Sequence, residues 1–172
     1  LSADGATLAI GANFNDGTSL DTSNNRGHVR VYRYNASKTD PQLANQSLTT
    51  FGPVGWDRMG SDIDGEVAAD QSGFSVSLSA DGSAVAIGSP LYDVSGVSNS
   101  GRVRVFAWNG SSWAQRGENI NGVNLNENVG DSVSLSADGN ILSVSSFMKV
   151  VSYNYSSSTN TWSQIGENVT GT

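Results

Sequence analysis

Ser75-Val76-Ser77-Leu78-Ser79-Ala80-Asp81-Gly82-Ser83-Ala84-Val85-Ala86-Ile87-Gly88 carries the pattern from which the architecture follows. Val76 and Leu78 alternate with serines, and Val85 and Ile87 alternate with small residues, which is the two-residue period of a strand and not the 3.6-residue period of a helix. Ala80-Asp81-Gly82 between them is a tight turn. Glycine closes such a turn at positive φ, and aspartate accepts from nearby backbone amides. The stretch therefore predicts a β-hairpin. Its centre, Leu-Ser-Ala-Asp-Gly, stands at Leu1–Gly5, Leu78–Gly82 and Leu135–Gly139, so the hairpin is a unit used three times.

Each copy continues in one order. A polar loop leads to a third strand, His28-Val29-Arg30-Val31-Tyr32 in the first copy and Arg102-Val103-Arg104-Val105-Phe106 in the second, with a weaker counterpart over 149–155. A fourth short strand opens on Trp56, Trp113 or Trp162. A connecting loop follows, Asp62-Ile63-Asp64-Gly65-Glu66 first and Asn119-Ile120-Asn121-Gly122-Val123 second. Four antiparallel strands in about 57 residues is the size of one β-propeller blade. The expected fold is all-β, a partial propeller of about three four-stranded blades. Residues 1–60 form an incomplete first blade with an insertion over 35–55, 61–117 a connecting loop and second blade, and 118–172 a connecting loop and truncated third blade. In the third copy Ser145-Ser146-Phe147-Met148 closes a short hairpin where the others have a long loop. Three blades cannot close a ring, so the chain is expected to be a fragment of a larger ring or to self-associate. Val76, Leu78, Val85, Ile87, Val103 and Val105 are the expected packing residues between blades.

Composition narrows the function. The net charge of −7 argues against nucleic acid, whose binders carry basic stripes. No run approaches the length of apolar residues that spans a bilayer. The chain has no cysteine, which excludes disulfides and thiolate metal sites. Sequons at Asn35, Asn45, Asn109, Asn154 and Asn168 and a low lysine content fit an extracellular or cell-surface location.

Gly73-Phe74-Ser75-Val76, Gly88-Ser89-Pro90 and Gly101-Arg102-Val103-Arg104-Val105, in that order, resemble the FG-GAP repeat of integrin-α-type β-propellers and the divergent arrays of such repeats in microbial and algal surface proteins. The resemblance covers nearly the whole chain. It implies partner recognition through the loops of one face, here 13–26, 61–73, 90–100 and 119–130. The family's calcium loop between the first two strands is replaced by the Ala-Asp-Gly turn, too short to supply the six to eight oxygens calcium takes. That site is therefore not carried over to Asp4, Asp81 or Asp138.

The candidate metal ligands are Asp62, Asp64, Glu66 and Asp70, whose spacing allows carboxylates to converge on calcium. The second copy has Asn119, Asn121, Val123 and Glu127 instead, and the competing reading is a solvated loop. Asn13, Asn15, Asp16 and Asp21 form a second polar group, with Asp16-Gly17 readable as a turn. His28, the single histidine, takes the place of Arg102 and Lys149 and reads as an exposed base. The recurrent tryptophans read as packing between blades. No nucleophile elbow or catalytic triad is present, so the expected function is non-enzymatic: adhesion or recognition of a protein or glycan partner. The alternatives are a polysaccharide-acting enzyme using Asp62, Asp64 and Asp70, and a structural spacer.

Overall fold

The computed structural model describes residues 1–16, 24–38 and 53–171. Asp21, the Asn45 sequon and most of the expected 35–55 insertion lie outside the described residues. Among those described there is no helix, and the strands form three antiparallel sheets. The first contains β1 (Thr7–Ala12), β2 (His28–Tyr34), β3 (Trp56–Arg58) and β4 (Ile63–Asp64). The second contains β5 (Ser75–Leu78), β6 (Ala84–Ser89), β7 (Arg102–Trp108), β8 (Trp113–Gln115) and β9 (Ile120–Asn121). The third contains β10 (Val133–Leu135), β11 (Ile141–Ser145), β12 (Lys149–Ser156) and β13 (Thr161–Thr170).

The connecting loops do not begin where the sequence suggests. Ile63 and Asp64 pair with Val29 and His28, so β4 belongs to the first sheet. Ile120 and Asn121 likewise pair with Val103 and Arg102. In both sheets the outer strand is thus split into two short pieces. In the third sheet β13 runs unbroken along β12, with a register shift between Val150 and Ser152.

The Ser-Ala-Asp-Gly turn is built alike in each copy. Ser79 Oγ donates to Asp81 Oδ1 at 2.7 Å and accepts from the Ala84 amide at 2.9 Å. Ser2 with Asp4, and Ser136 with Asp138, repeat this. The turns also join the sheets: the Ala3 amide donates to Ala80 O at 2.8 Å, and the Ala80 amide to Ala137 O at 2.9 Å.

Alternation along β6 and β7 sends side chains to two cores. Val85, Ile87 and Phe106 meet Val29, Val31, Met59 and Ile63 of the first sheet. Ala86, Val103 and Val105 meet Val133, Leu142, Val144 and Trp162 of the third. The middle sheet is covered on both faces, which explains why every residue of β6 is buried. Trp113 Nε1 donates to Met59 O at 2.8 Å and Trp162 Nε1 to Arg116 O at 2.9 Å, so each tryptophan tethers its sheet to the one before.

Candidate functional site

Described residues between β1 and β2, and between β6 and β7, are stitched to the link that leads to the next sheet. The Ala69 and Ser72 amides donate to the carbonyls of Asn24 and Arg26 at 2.7 and 2.9 Å. In the second seam the Asn126 and Asn128 amides donate to Ser98 O and Asn99 O, both at 3.0 Å. Non-glycine residues at positive φ, including Asn25, Ala69, Gln71, Asn99, Asn126 and Asn128, gather in these loops. Such backbone persists where the surroundings dictate it, and here the seam does so.

The four sequence-derived carboxylates fall into two groups along the first link. Asp70, 1% exposed, caps the link: its Oδ2 accepts from the Glu66 and Val67 amides at 2.9 and 3.0 Å. Glu127 does the same in the second link for Val123 and Asn124. Burial pushes the Asp70 carboxyl up, and prevails over the Val67 amide and the Arg102 charge, which pull it down. Arg102 is only 1% exposed; it lies 2.7 Å from Glu66 and 3.6 Å from Asp70 and stacks over the Tyr92 ring at 3.6 Å. Arg104 Nη2 donates to Asp64 O at 2.7 Å and to Ser72 Oγ at 3.3 Å. Glu66 and Asp70 thus neutralise arginines of the next sheet. Lys149 and Glu127, 2.7 Å apart, repeat the pattern between the second link and the third sheet.

Asp62 and Asp64 point elsewhere. Asp62 accepts from Arg30 Nε at 2.7 Å and Nη2 at 3.1 Å, and from Arg58 Nη2 at 2.6 Å. Burial raises its pKa, but the Arg30 bond and the charges of Arg58 and Arg30 outweigh this and hold the carboxyl below its usual range. Both aspartates gather with His28, the ligand atoms of all three lying within 4.8 Å of one another. His28 is not the exposed base expected from sequence: it is 4% exposed, and burial lowers its pKa despite nearby Asp62. Sequence reasoning missed this grouping because it depends on the β2–β4 pairing; the signal in the sequence was the Asp62-Ile63-Asp64 spacing, which lets both carboxylates turn the same way. Of the second polar group, Asp16 Oδ1 accepts from the Asn25 amide at 2.9 Å, bracing the loop.

A groove of about 280 Å³ at the loop end is lined by Asn124, Leu125, Glu127, Phe147, Met148 and Lys149 among others. Leu125, Phe147 and Met148 are 67, 80 and 68% exposed. The Phe147 amide donates to Glu127 O at 2.9 Å, so the third-sheet hairpin is fixed to the second link.

No family model matches the chain, and no curated protein matches it. Among solved structures it is similar to a candidate 6-phosphogluconolactonase from Bacteroides uniformis, with a TM-score of 0.56 and 14% identity over 99% of this chain. The chain spans 40% of that protein's length. A protein of unknown function from Desulfotomaculum acetoxidans matches at a TM-score of 0.46 and 15% identity, covering 85% of this chain and 36% of its own. The first likeness is one of fold. It nevertheless corrects the expectation of a non-enzymatic chain: a candidate enzyme has a similar fold over part of its length, so the lack of an elbow or triad does not set this chain apart from enzymes. No described helix is long and apolar enough to cross a membrane.

Proposed function

We propose that the chain is three consecutive blades of a β-propeller and that it acts outside the cell or at its surface, docking a protein partner on the loop end of the third sheet. The observation that carries this is a break in the repeat. The Gly73 amide donates to Gly88 O, and the Gly130 amide to Ser145 O, so Ser145 occupies the position of Gly88. A Cβ at Gly88 would lie 2.0 Å from Gly130 O, and one at Gly101 2.3 Å from the Val129 amide nitrogen. Glycine at both positions lets the following link lie against the sheet. The third sheet has Ser145 and Met148 there, whose side chains stand in the way of such an approach, and its hairpin carries Phe147 and Met148 beside the groove.

Large apolar side chains on a braced platform with a polar rim are the composition of a protein-binding surface. Methionine adapts its shape to a partner, and phenylalanine supplies area with few rotatable bonds. The Lys149–Glu127 pair beside the groove orients what lands there. Docking at this end is compatible with catalysis elsewhere, since a candidate lactonase has a similar fold.

Peptide-display selection on the full chain, with a glycan array alongside, tests it. Enriched peptides should be apolar or aromatic and should lose at least tenfold in affinity to Phe147→Asp, a change in an exposed side chain that leaves the circular dichroism spectrum intact. Equal binding to Phe147→Asp, or binders found only on the glycan array, would remove the assignment.

A further inference from the structure

Two buried polar atoms near the start of the first link have no partner: Nδ1 of His28 and Oδ1 of Asp64. They belong to residues directly opposite each other, His28 on β2 and Asp64 on β4, and Asp62 immediately precedes β4, where Arg30 of β2 holds it. Buried histidine nitrogens and carboxylate oxygens are ordinarily hydrogen-bonded, and an orphaned pair in one place asks for a ligand. We propose that His28, Asp62 and Asp64 form a binding site for one divalent first-row metal ion, zinc or manganese, held on paired strands of the first sheet.

The donor set selects the ion class. The imidazole nitrogen favours zinc, a borderline cation, the two carboxylate oxygens also admit the harder Mn²⁺, and calcium and magnesium favour oxygen alone. The set also differs from the oxygen-only group Asp62, Asp64, Glu66 and Asp70, because Glu66 and Asp70 face Arg102. Bonds of about 2.0–2.2 Å require the ligand atoms to sit closer than the 4.8 Å that bounds them, a closure within the reach of side-chain torsions.

Arg30 and Arg58 are the strongest objection, since both hold Asp62. A carboxylate offers about four lone-pair positions. The three arginine bonds to Asp62 leave one, enough for a monodentate ligand, and they fix its orientation as outer partners do in metal sites. The carboxylate of Asp64 receives no such bond at Oδ1, and the Arg104 guanidinium bonds its backbone carbonyl instead.

His28 is the single histidine, so its ring protons give unambiguous signals in a proton NMR spectrum of the intact chain. Substoichiometric Mn²⁺ should broaden those signals ahead of all others, and Zn²⁺ should reverse the broadening with one equivalent. His28→Gln and Asp64→Asn should each weaken Zn²⁺ binding at least tenfold by calorimetry, while Glu66→Gln leaves it unchanged. Histidine signals untouched by Mn²⁺ in the unaltered protein would overturn the site, and need no variant to fold. So would Zn²⁺ binding of equal strength in Asp64→Asn.

Discussion

Asp62 shows what a single residue does in this fold. It draws Arg30 of β2 and Arg58 of β3 onto one carboxylate at the start of the first link. Hydrogen bonds to charged groups contribute roughly 1.5–3 kcal/mol each when one partner is lost. Asp62→Asn keeps the shape and removes the charge, and should cost about 2 kcal/mol at neutral pH, read from urea unfolding. The sign with pH follows from the depressed carboxyl. Its contribution is fully present above the unfolded value of 3.8 and is lost as pH falls through the lower folded value. Asp138, held down to about 2 by Ser136 and Asn140, acts in the same direction over that range. Asp70 opposes them: its raised carboxyl contributes at pH below the unfolded value and loses that contribution as pH rises. The acid limb of the stability curve between pH 5 and 2 should therefore be shallower in Asp62→Asn than in the unaltered chain. Parallel limbs would show that the arginine pairs carry no net stability.

At the scale of elements, what was legible in the sequence is what local chemistry dictates. The Ala-Asp-Gly turn could be read because glycine supplies the positive φ and aspartate the acceptor for a nearby amide, and the strands on either side because alternation needs only neighbours; the bonds that Ser79 adds were not among those signals. The split outer strands were not legible: Ile63-Asp64 is too short to show a period, and its pairing with β2 is a long-range event. His28 was misread for the same reason, since its burial comes from a partner far along the chain. Ser79 offers the sharpest test of the turn. It is buried, and Ser79→Ala strips the Ala84 amide of its acceptor at a cost of roughly 1–3 kcal/mol. Ser136→Ala breaks the same bond in a more exposed copy, where water replaces the hydroxyl, and should cost less. Thermal unfolding of the two variants should rank them in that order. A reversed order would mean that the turn's internal bonds, not its burial, set its worth.

The whole molecule is a short array. The middle sheet shares one core with the first sheet and a separate core with the third, and the first and third share none among the described residues. Stability in such an arrangement is a sum of sheet terms and nearest-neighbour interfaces, so damage should stay at the interface where it is made. Ile87 lies fully buried in the first core and Leu142 fully buried in the second. Truncating either to alanine removes three side-chain carbons from a packed site and should cost about 2–5 kcal/mol. The two losses should differ in place. In Ile87→Ala, amide exchange should quicken in β1 and β2 while β11 and β12 keep their protection; Leu142→Ala should do the reverse. The hydrogen bonds from Ala3 to Ala80 and from Ala80 to Ala137 limit how far this separation goes, because they tie the hairpin turns of all three sheets into one row. If both variants speed exchange equally in every strand, that row and the tryptophan tethers bind the sheets into a single cooperative unit, and the interfaces cannot be treated as independent.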